Sequence, residues 1–178
     1  MSFGQKDKEL VEKFLNLIKC DAKIRFRKRR ELKTTTAGEL YYFSIGNNDL
    51  ANDLIRLGVT PNKSLDMKFP KIPNEYLRHF VRGIFDGDGS VYLDKSTVRV
   101  KLLSGSYSFI QTLNKLMAEN DFPLRKIDVS YTIKNGIKTS NAHVICYSAK
   151  STVRQFYDFI YNNVSNHMYY ERKHNFFY

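Results

Sequence analysis

The residues best suited to chemistry in this chain are two carboxylates spaced by glycines. Residues 86–89 read Asp-Gly-Asp-Gly and directly follow an apolar stretch. The two glycines favour the end of a helix, which leaves Asp86 and Asp88 beside carbonyl groups that lack partners and carry partial negative charge. Carboxylates at such a place repel each other unless a cation lies between them. A hard divalent metal is therefore the first candidate for this position.

Two other interpretations of the acidic pattern need comparison with the metal site. A solvated helix end would produce the same four residues, and these residues alone do not exclude it. A calcium loop of the EF-hand type requires glycine at its sixth position and glutamate at its twelfth. Counted from Asp86, those positions hold Val91 and Thr97, so the sequence excludes the EF-hand loop.

The stretch before the acids has the apolar spacing of a helix. Pro73 followed by Asn74 is a typical helix start. Gly83 lies inside the predicted helix at a cost of about 1 kcal/mol relative to alanine, which favours close approach of another backbone at this position. The large apolar residues recur every three or four positions and form one face: Tyr76, Leu77, Phe80, Val81, Ile84 and Phe85.

These residues resemble the LAGLIDADG motif of homing endonucleases. All nine positions from Val81 to Gly89 match the motif by residue type, and the following Ser90-Val91 also fits. In that family, two such helices pack against each other at their glycines, and the second acid of each motif binds the catalytic metals. The resemblance implies an α+β fold of two αββαββα-like repeats with saddle-shaped antiparallel sheets.

The resemblance also implies roles for individual residues in hydrolysis of double-stranded DNA with Mg²⁺ or Mn²⁺. Asp88 is the expected catalytic residue and metal ligand, and the Gly87 carbonyl is a further expected ligand. Asp86 and Gly83 are expected to shape the helix. Lys63 and Lys173 lie at matching places in two basic clusters, at residues 61–64 and 170–173. The family has a basic residue near this point that approaches the scissile phosphate. Ser104 is a weaker candidate for contact with metal-bound water.

The composition favours a polyanionic partner. The chain has 178 residues, with 29 Lys and Arg against 18 Asp and Glu, and a net charge of +11. It has no run of about 18 apolar residues and no leader-like start, so we expect no membrane association and a cytoplasmic or nucleoid-associated location. Two cysteines are too few for a disulfide framework, and the four histidines lack zinc-ligand spacing.

One order of elements occurs twice, about 100 residues apart. Each copy has a helix, a basic strand, an apolar strand and a second helix; the predicted ranges are 6–19, 23–30, 40–45 and 49–57, and then a helix around 109–117 followed by 124–134, 143–148 and 151–161. The motif helix and a hairpin at about 90–103 occur only in the second copy. We therefore predict a truncated first repeat at 1–70, without motif helix and first strands, and a complete second repeat at 71–178. Caps are expected at Asn47 or Asn48 and at Ser151.

A basic ribbon is the predicted DNA-binding element. Residues 23–29 alternate, so the cations occupy one face and the apolar residues the other. A two-stranded ribbon fits the major groove, although a solvated charged strand would alternate in the same way. The candidates in this ribbon are Lys23, Arg25, Arg27 and Arg29. Further candidates on the same surface are Arg99, Lys101, Arg125, Lys126, Lys134 and Lys138.

Three functions follow from these patterns. The first is a site-specific, metal-dependent homing endonuclease encoded in an intron or intein or standing free. The second is a catalytically incomplete relative that binds DNA or, as a maturase, folded intron RNA. The third is an interaction protein whose acidic motif is incidental. Because one motif supplies one metal-binding acid, a second must come from a homodimer through the motif helix or from a longer protein, or the site is inactive.

Overall fold

A computed structural model shows that the chain folds as an α+β protein. It describes residues 2–28, 30–32, 35–37, 40–59, 65, 67–134 and 137–177. The α-helices in this part are α1 (Lys8–Leu17), α2 (Asn48–Arg56), α3 (Asn74–Gly87), α4 (Tyr107–Glu119), α5 (Lys150–Tyr161) and α6 (Glu171–His174). The strands are β1 (Ser2–Gln5), β2 (Arg25–Arg27), β3 (Arg30–Leu32), β4 (Thr35–Ala37), β5 (Leu40–Ser44), β6 (Ser90–Asp94), β7 (Thr97–Ser104), β8 (Asp128–Lys134) and β9 (Ile137–Tyr147).

The larger sheet has four antiparallel strands in the order β6-β7-β9-β8. Alternation along β7 buries Val100 and Leu102 beneath α4 and α5, together with Ile145 and Tyr147 of β9. Arg99 and Lys101 therefore point to the opposite face, because successive side chains of a strand alternate. This second face carries no helix in the part of the chain that the structure describes.

A smaller sheet forms in the first half of the chain, with the strand order β1-β5-β2. Helix α1 covers one of its faces through Val11 and Leu15, which pack on Phe43. The elements β1, α1, β2 and β5 follow one another in the same order as β7, α4, β8 and β9, except that β3 and β4 come between β2 and β5 and pair with each other as a separate sheet. In both the smaller and the larger sheet, the last of these strands lies between the other two. The division into two repeats and the proposed boundary at residue 70 both stay predictions.

Strand β1 is the main element that the sequence analysis misses. The first repeat was predicted to lack its first strands, yet β1 pairs with β5 from Ser2 opposite Ser44 to Gln5 opposite Tyr41. Four residues with one large apolar side chain carry too little periodicity to be recognised. In the predicted first repeat, β1 corresponds in position to β7, whereas the described residues of the first half contain no counterpart of α3 or β6.

Most predicted boundaries are correct within a few residues, and the differences have local causes. The Asn47 side chain caps α2 by accepting a 2.9 Å hydrogen bond from the Leu50 N–H. The cap predicted at Ser151 is wrong, because α5 begins at Lys150 and its N-cap is Ala149, two residues before Ser151. The predicted basic strand at 23–30 is shorter as well, since only Arg25–Arg27 pair with β5. No described helix is long and apolar enough to cross a membrane.

Helix α3 places the motif at the edge of the core. Its residues Leu77, Val81 and Phe85 are fully or almost fully buried among side chains of the larger sheet and α5. Gly83 and Gly87 lie on the accessible side, and a Cβ at either position would have no described atom within 4 Å. The close backbone approach expected at Gly83 is therefore not made within the described part of this chain.

We expect Gly89→Ala to destabilise the fold, because a Cβ there would lie 2.7 Å from both the Cα and the carbonyl oxygen of Phe85. Backbone atoms cannot move aside as a flexible side chain can, so the expected loss is about 1–3 kcal/mol. Gly83→Ala is the matched control and should raise stability by up to about 1 kcal/mol, since alanine is the better helix former. Urea unfolding followed by circular dichroism measures both, and equal effects would contradict this explanation.

Candidate metal centre and nucleic-acid interface

The two acids of the motif lie in different environments. Asp86, in the last turn of α3, is only 5% exposed; it accepts hydrogen bonds from the Tyr161 hydroxyl at 2.6 Å and the Tyr170 N–H at 3.1 Å. Burial raises the pKa of its carboxyl, while the two hydrogen bonds act in the opposite direction. Asp88 is the C-cap residue and is exposed. The structure therefore separates two carboxylates that the sequence analysis places side by side.

Lys173 supplies the cation at the buried side of this helix end. Its ammonium donates hydrogen bonds to the carbonyls of Phe85 at 2.5 Å, Asp86 at 3.0 Å and Gly89 at 2.6 Å. Burial lowers the pKa of Lys173 to about 8, against the opposing effect of Asp86. The family resemblance implies a place for this lysine at the scissile phosphate, but its ammonium lies inside the protein. The geometry favours a structural role, and the catalytic role stays a prediction.

Arg82 is a buried partner of this network that the sequence analysis does not identify. Its guanidinium donates to the carbonyls of Ile160 at 3.1 Å and Met168 at 3.0 Å. Burial lowers its pKa, and the nearby Asp86 charge opposes that shift. One feature of the sequence could have indicated that Arg82 lies near Asp86: the two residues are four apart on a helix and hence on one face. The position of Arg82 within an otherwise apolar stretch is also consistent with a buried side chain.

A cavity of about 230 Å³ lies beside the exposed acid. Asp88 and Ser104 both line it, so the structure brings together the expected metal ligand and the weaker polar candidate. The Ser104 hydroxyl accepts a hydrogen bond from the Ser106 N–H at 3.1 Å, which fixes its direction. The remaining lining residues are Met67, Ile84, Leu103, Gly105 and Phe109.

The donor set at this position fits half of a magnesium site. Among the described residues, no group of three His, Cys, Asp or Glu side chains could hold a metal. Mg²⁺ is usually held by one or two carboxylates together with water and substrate phosphates, and does not require a complete protein cage. The exposed Asp88 carboxylate with the neighbouring Gly87 carbonyl is compatible with that pattern. A second carboxylate would have to come from another helix.

A second cavity, of about 280 Å³, runs along the accessible side of the motif helix. Gly83 and Gly87 of α3 form one wall, and α1 contributes Leu10, Phe14 and Leu17 to the other. The two glycines are four residues apart and so occupy one ridge of the helix. This slot is mostly apolar and has a backbone surface on one side, which suits close contact with another helix.

The predicted basic ribbon has the expected alternation. Arg25 lies opposite Tyr42 and Arg27 opposite Leu40, on the side of the sheet away from α1, whereas Phe26 contacts the Tyr41 ring with centroids 4.9 Å apart. Both arginines are exposed. Lys23 is exposed as well but precedes the strand, and Arg29 lies outside the described residues.

The larger sheet carries further cations on its accessible face. Arg99 forms an ion pair with Asp94 at 2.7 Å, and the Lys101 ammonium lies 5.0 Å from the centre of the Tyr92 ring. The partners are adjacent in the β6-β7 hairpin, so both cations are held by neighbours and still accessible in part.

The remaining predicted cations lie in several places. Arg125 and Lys126 are exposed in the loop before β8, where Lys126 lies 3.5 Å from Asp128. Lys134 pairs with Ile137, and Lys138 with Ile133, at the end of the β8-β9 hairpin. For Lys134 and Lys138, only the backbone belongs to the described part of the chain. The predicted catalytic residue Lys63 lies outside the described residues altogether.

Comparison with known families agrees with this arrangement. The model of a LAGLIDADG-like domain matches residues 75–160, from the first turn of α3 to the last turn of α5. Residues 75–160 therefore form a LAGLIDADG-like domain. No curated protein matches the chain. The match includes the motif helix, its hairpin and all strands of the larger sheet, but not the first half, where the smaller LAGLIDADG-like repeat remains a prediction.

The two acids of the LAGLIDADG helix should differ sharply in their effect on stability. Asp86→Ala leaves the Tyr161 hydroxyl and Tyr170 N–H without an acceptor and removes a charge near two buried cations, so we expect a loss of about 3–5 kcal/mol. Asp88→Ala removes an exposed side chain and should change the free energy of unfolding by no more than about 0.5 kcal/mol. Denaturant unfolding measures both, and similar losses would show that Asp88 also has a structural role.

Proposed function

We propose that this LAGLIDADG protein is a site-specific endonuclease that binds double-stranded DNA and hydrolyses phosphodiester bonds with Mg²⁺ or Mn²⁺. The observation that carries the proposal is the division between the two acids at the end of α3. One is buried and accepts two hydrogen bonds, and the other is exposed beside a cavity that Ser104 also lines. A helix end built only for stability would gain nothing from a second, exposed carboxylate, since cations are the favourable charges at helix C-termini.

Asp88 and the Gly87 carbonyl are the groups that would hold the metal. The metal would stabilise charge on the phosphate oxygens and favour deprotonation of the attacking water. Asp88 supplies a negatively charged ligand at a fixed point of the helix, and the Ser104 hydroxyl lines the same cavity and is available to orient water. Asp86 takes no direct part, because both of its oxygens accept hydrogen bonds inside the protein.

A second motif helix would supply the second acid. We propose that it packs on the ridge formed by Gly83 and Gly87, whose accessible sides leave room for a close helix contact. A second copy of the chain is one source of that helix, which would make the active form a homodimer. The apolar lining of the adjacent slot supports this arrangement, because a helix placed there would remove apolar surface from water.

The DNA would lie across the faces of the two sheets that α1, α4 and α5 leave uncovered. Arg25 and Arg27 on the smaller sheet and Arg99 and Lys101 on the larger one point to those faces. Arginine side chains on a β-ribbon are suited to guanine in the major groove, and lysines to phosphate. The net charge of +11 supports the same partner through long-range attraction.

A nucleic-acid-binding relative that does not cleave is the alternative. The observation that favours it is the single exposed carboxylate at the helix end within the described residues, together with a buried Lys173. Such a protein would still bind DNA, or folded intron RNA, through the same basic faces. The two functions differ only in whether bound nucleic acid is cut.

The basic ribbon should contribute to DNA affinity through phosphate or base contacts. A double variant, Arg25→Gln with Arg27→Gln, should weaken binding to a randomised duplex library and reduce the slope of log affinity against log salt by about 1.8 if both contact phosphate. Lys8→Gln with Lys115→Gln removes the same charge from exposed positions on α1 and α4. Fluorescence anisotropy at several salt concentrations measures both pairs, and equal losses would reject the predicted binding face.

Asp88→Asn tests the metal role with charge removed and shape retained. On duplexes selected from the library by the native protein, this variant should bind at least as tightly, because it removes a negative charge near phosphate, but produce no nicks or breaks with Mg²⁺ or Mn²⁺. Unchanged cleavage would reject Asp88 as the ligand. Binding by the native protein without any cleavage would select the alternative function.

A further inference from the structure

The end of the motif helix is closed from inside the protein by a lysine that is distant in sequence. Each of the three carbonyls bound by Lys173 lies close to Asp88 along the chain: those of Phe85 and Asp86 precede it, and that of Gly89 follows it. An ammonium group has three N–H donors, so this set satisfies it completely. The lysine is 6% exposed and therefore has no access to a phosphate on the protein surface.

The turn that carries Asp88 has few other backbone restraints. The N–H groups of Asp88 and Gly89 both donate to the Ile84 carbonyl, at 2.9 Å and 3.1 Å. Carbonyl groups in the last turn of a helix lack intrahelical partners and need others. Lys173 supplies those partners on both sides of Asp88, and it also offsets the negative end of the helix dipole.

The lysine itself is held by the segment around α6. The Tyr170 N–H binds Asp86, and the Tyr169 carbonyl accepts a 2.8 Å hydrogen bond from the Lys13 ammonium of α1. The neighbouring Arg172 points the other way and donates to the Tyr170 hydroxyl at 2.8 Å. The two consecutive cations therefore have opposite directions, and only Lys173 reaches the helix end.

We infer that Lys173 is a positioning residue for the metal site: its ammonium fixes the turn at residues 86–89 and thereby the direction of the Asp88 carboxylate. This inference rests on the proposed function for its consequence, metal binding, but its structural part is independent of catalysis. It replaces direct contact between Lys173 and the scissile phosphate with an action through the backbone of the motif helix.

The test uses Lys173→Met in the full chain, since methionine is similar in length but has no donors or charge. Lys115→Met, at an exposed position on α4, is the matched control. We expect the Lys173 variant to bind Mn²⁺, measured by the electron paramagnetic resonance signal of the free ion, about tenfold more weakly, as is typical when support of a metal ligand is removed. Amide hydrogen exchange at Asp88 and Gly89 should become faster, and duplex binding should stay unchanged.

The possible results separate the inference from the proposed function. Native Mn²⁺ affinity and amide protection in Lys173→Met, combined with lost cleavage, would mean that Lys173 acts directly in catalysis and would overturn the inference. If the native protein binds no Mn²⁺ and cuts nothing, the proposed function fails, and the exchange rates alone decide whether Lys173 fixes the turn.

A second variant covers the case in which Lys173→Met does not fold. Lys173→Arg keeps the charge, but its planar guanidinium has a fixed fork of donors and cannot match three converging carbonyls as an ammonium does. We expect the same two changes at smaller size, about threefold in Mn²⁺ affinity, by analogy with other supporting residues of metal ligands. Unchanged affinity and unchanged exchange at residues 88 and 89 in this variant would overturn the inference.

Discussion

The excess of negative charge at the end of α3 is the constraint on which the rest of the site depends. Unpaired carbonyls and two carboxylates meet within one turn, and such a group is unstable unless cations compensate it. Groups inside the protein compensate part of this charge: the Lys173 ammonium binds the carbonyls, and Asp86 accepts hydrogen bonds. The Asp88 carboxylate stays exposed, so the fold itself determines which of the two acids a cation from solution would reach.

Hydrogen bonds from basic side chains to backbone carbonyls also join the two halves of the chain. Basic side chains from α1 and α3 bind carbonyl groups in the last turn of α5 and in the segment that follows it, where backbone groups need partners from elsewhere. The bonds run from Lys13 to Asn166 and Tyr169, from Arg78 to Asn162, and from Arg82 to Ile160 and Met168. That segment leads directly into α6, so displacement of α1 would be transmitted to Lys173. The position of the first half and the geometry of the motif helix are therefore linked.

Local patterns in the sequence predicted what local physics determines. The motif helix, its hairpin and the faces of β2 and β7 follow from periodicities of 3.6 and 2, which need no knowledge of distant residues. The role of Lys173 could not be predicted in this way. Arg172 and Lys173 are adjacent in a helix of four residues, which is too short to show an apolar face, and only the packing of the chain decides which cation turns inward. Arg82 and β1 were missed for similar reasons, since their partners are 36 or more residues away.

The accessible glycines and the exposed acid of α3 together match what pairing with a second motif helix would require. Gly83 and Gly87 form a ridge that ends one residue before Asp88, so a helix packed along this ridge in the same manner would end beside the same carboxylate. Two acids brought so close repel strongly in a partly dehydrated contact unless a divalent cation joins them. Helix pairing and metal binding would then favour each other, because each is weak without the other. A chain with a single motif helix has the ridge and one acid, and its chemistry depends on the helix that meets it.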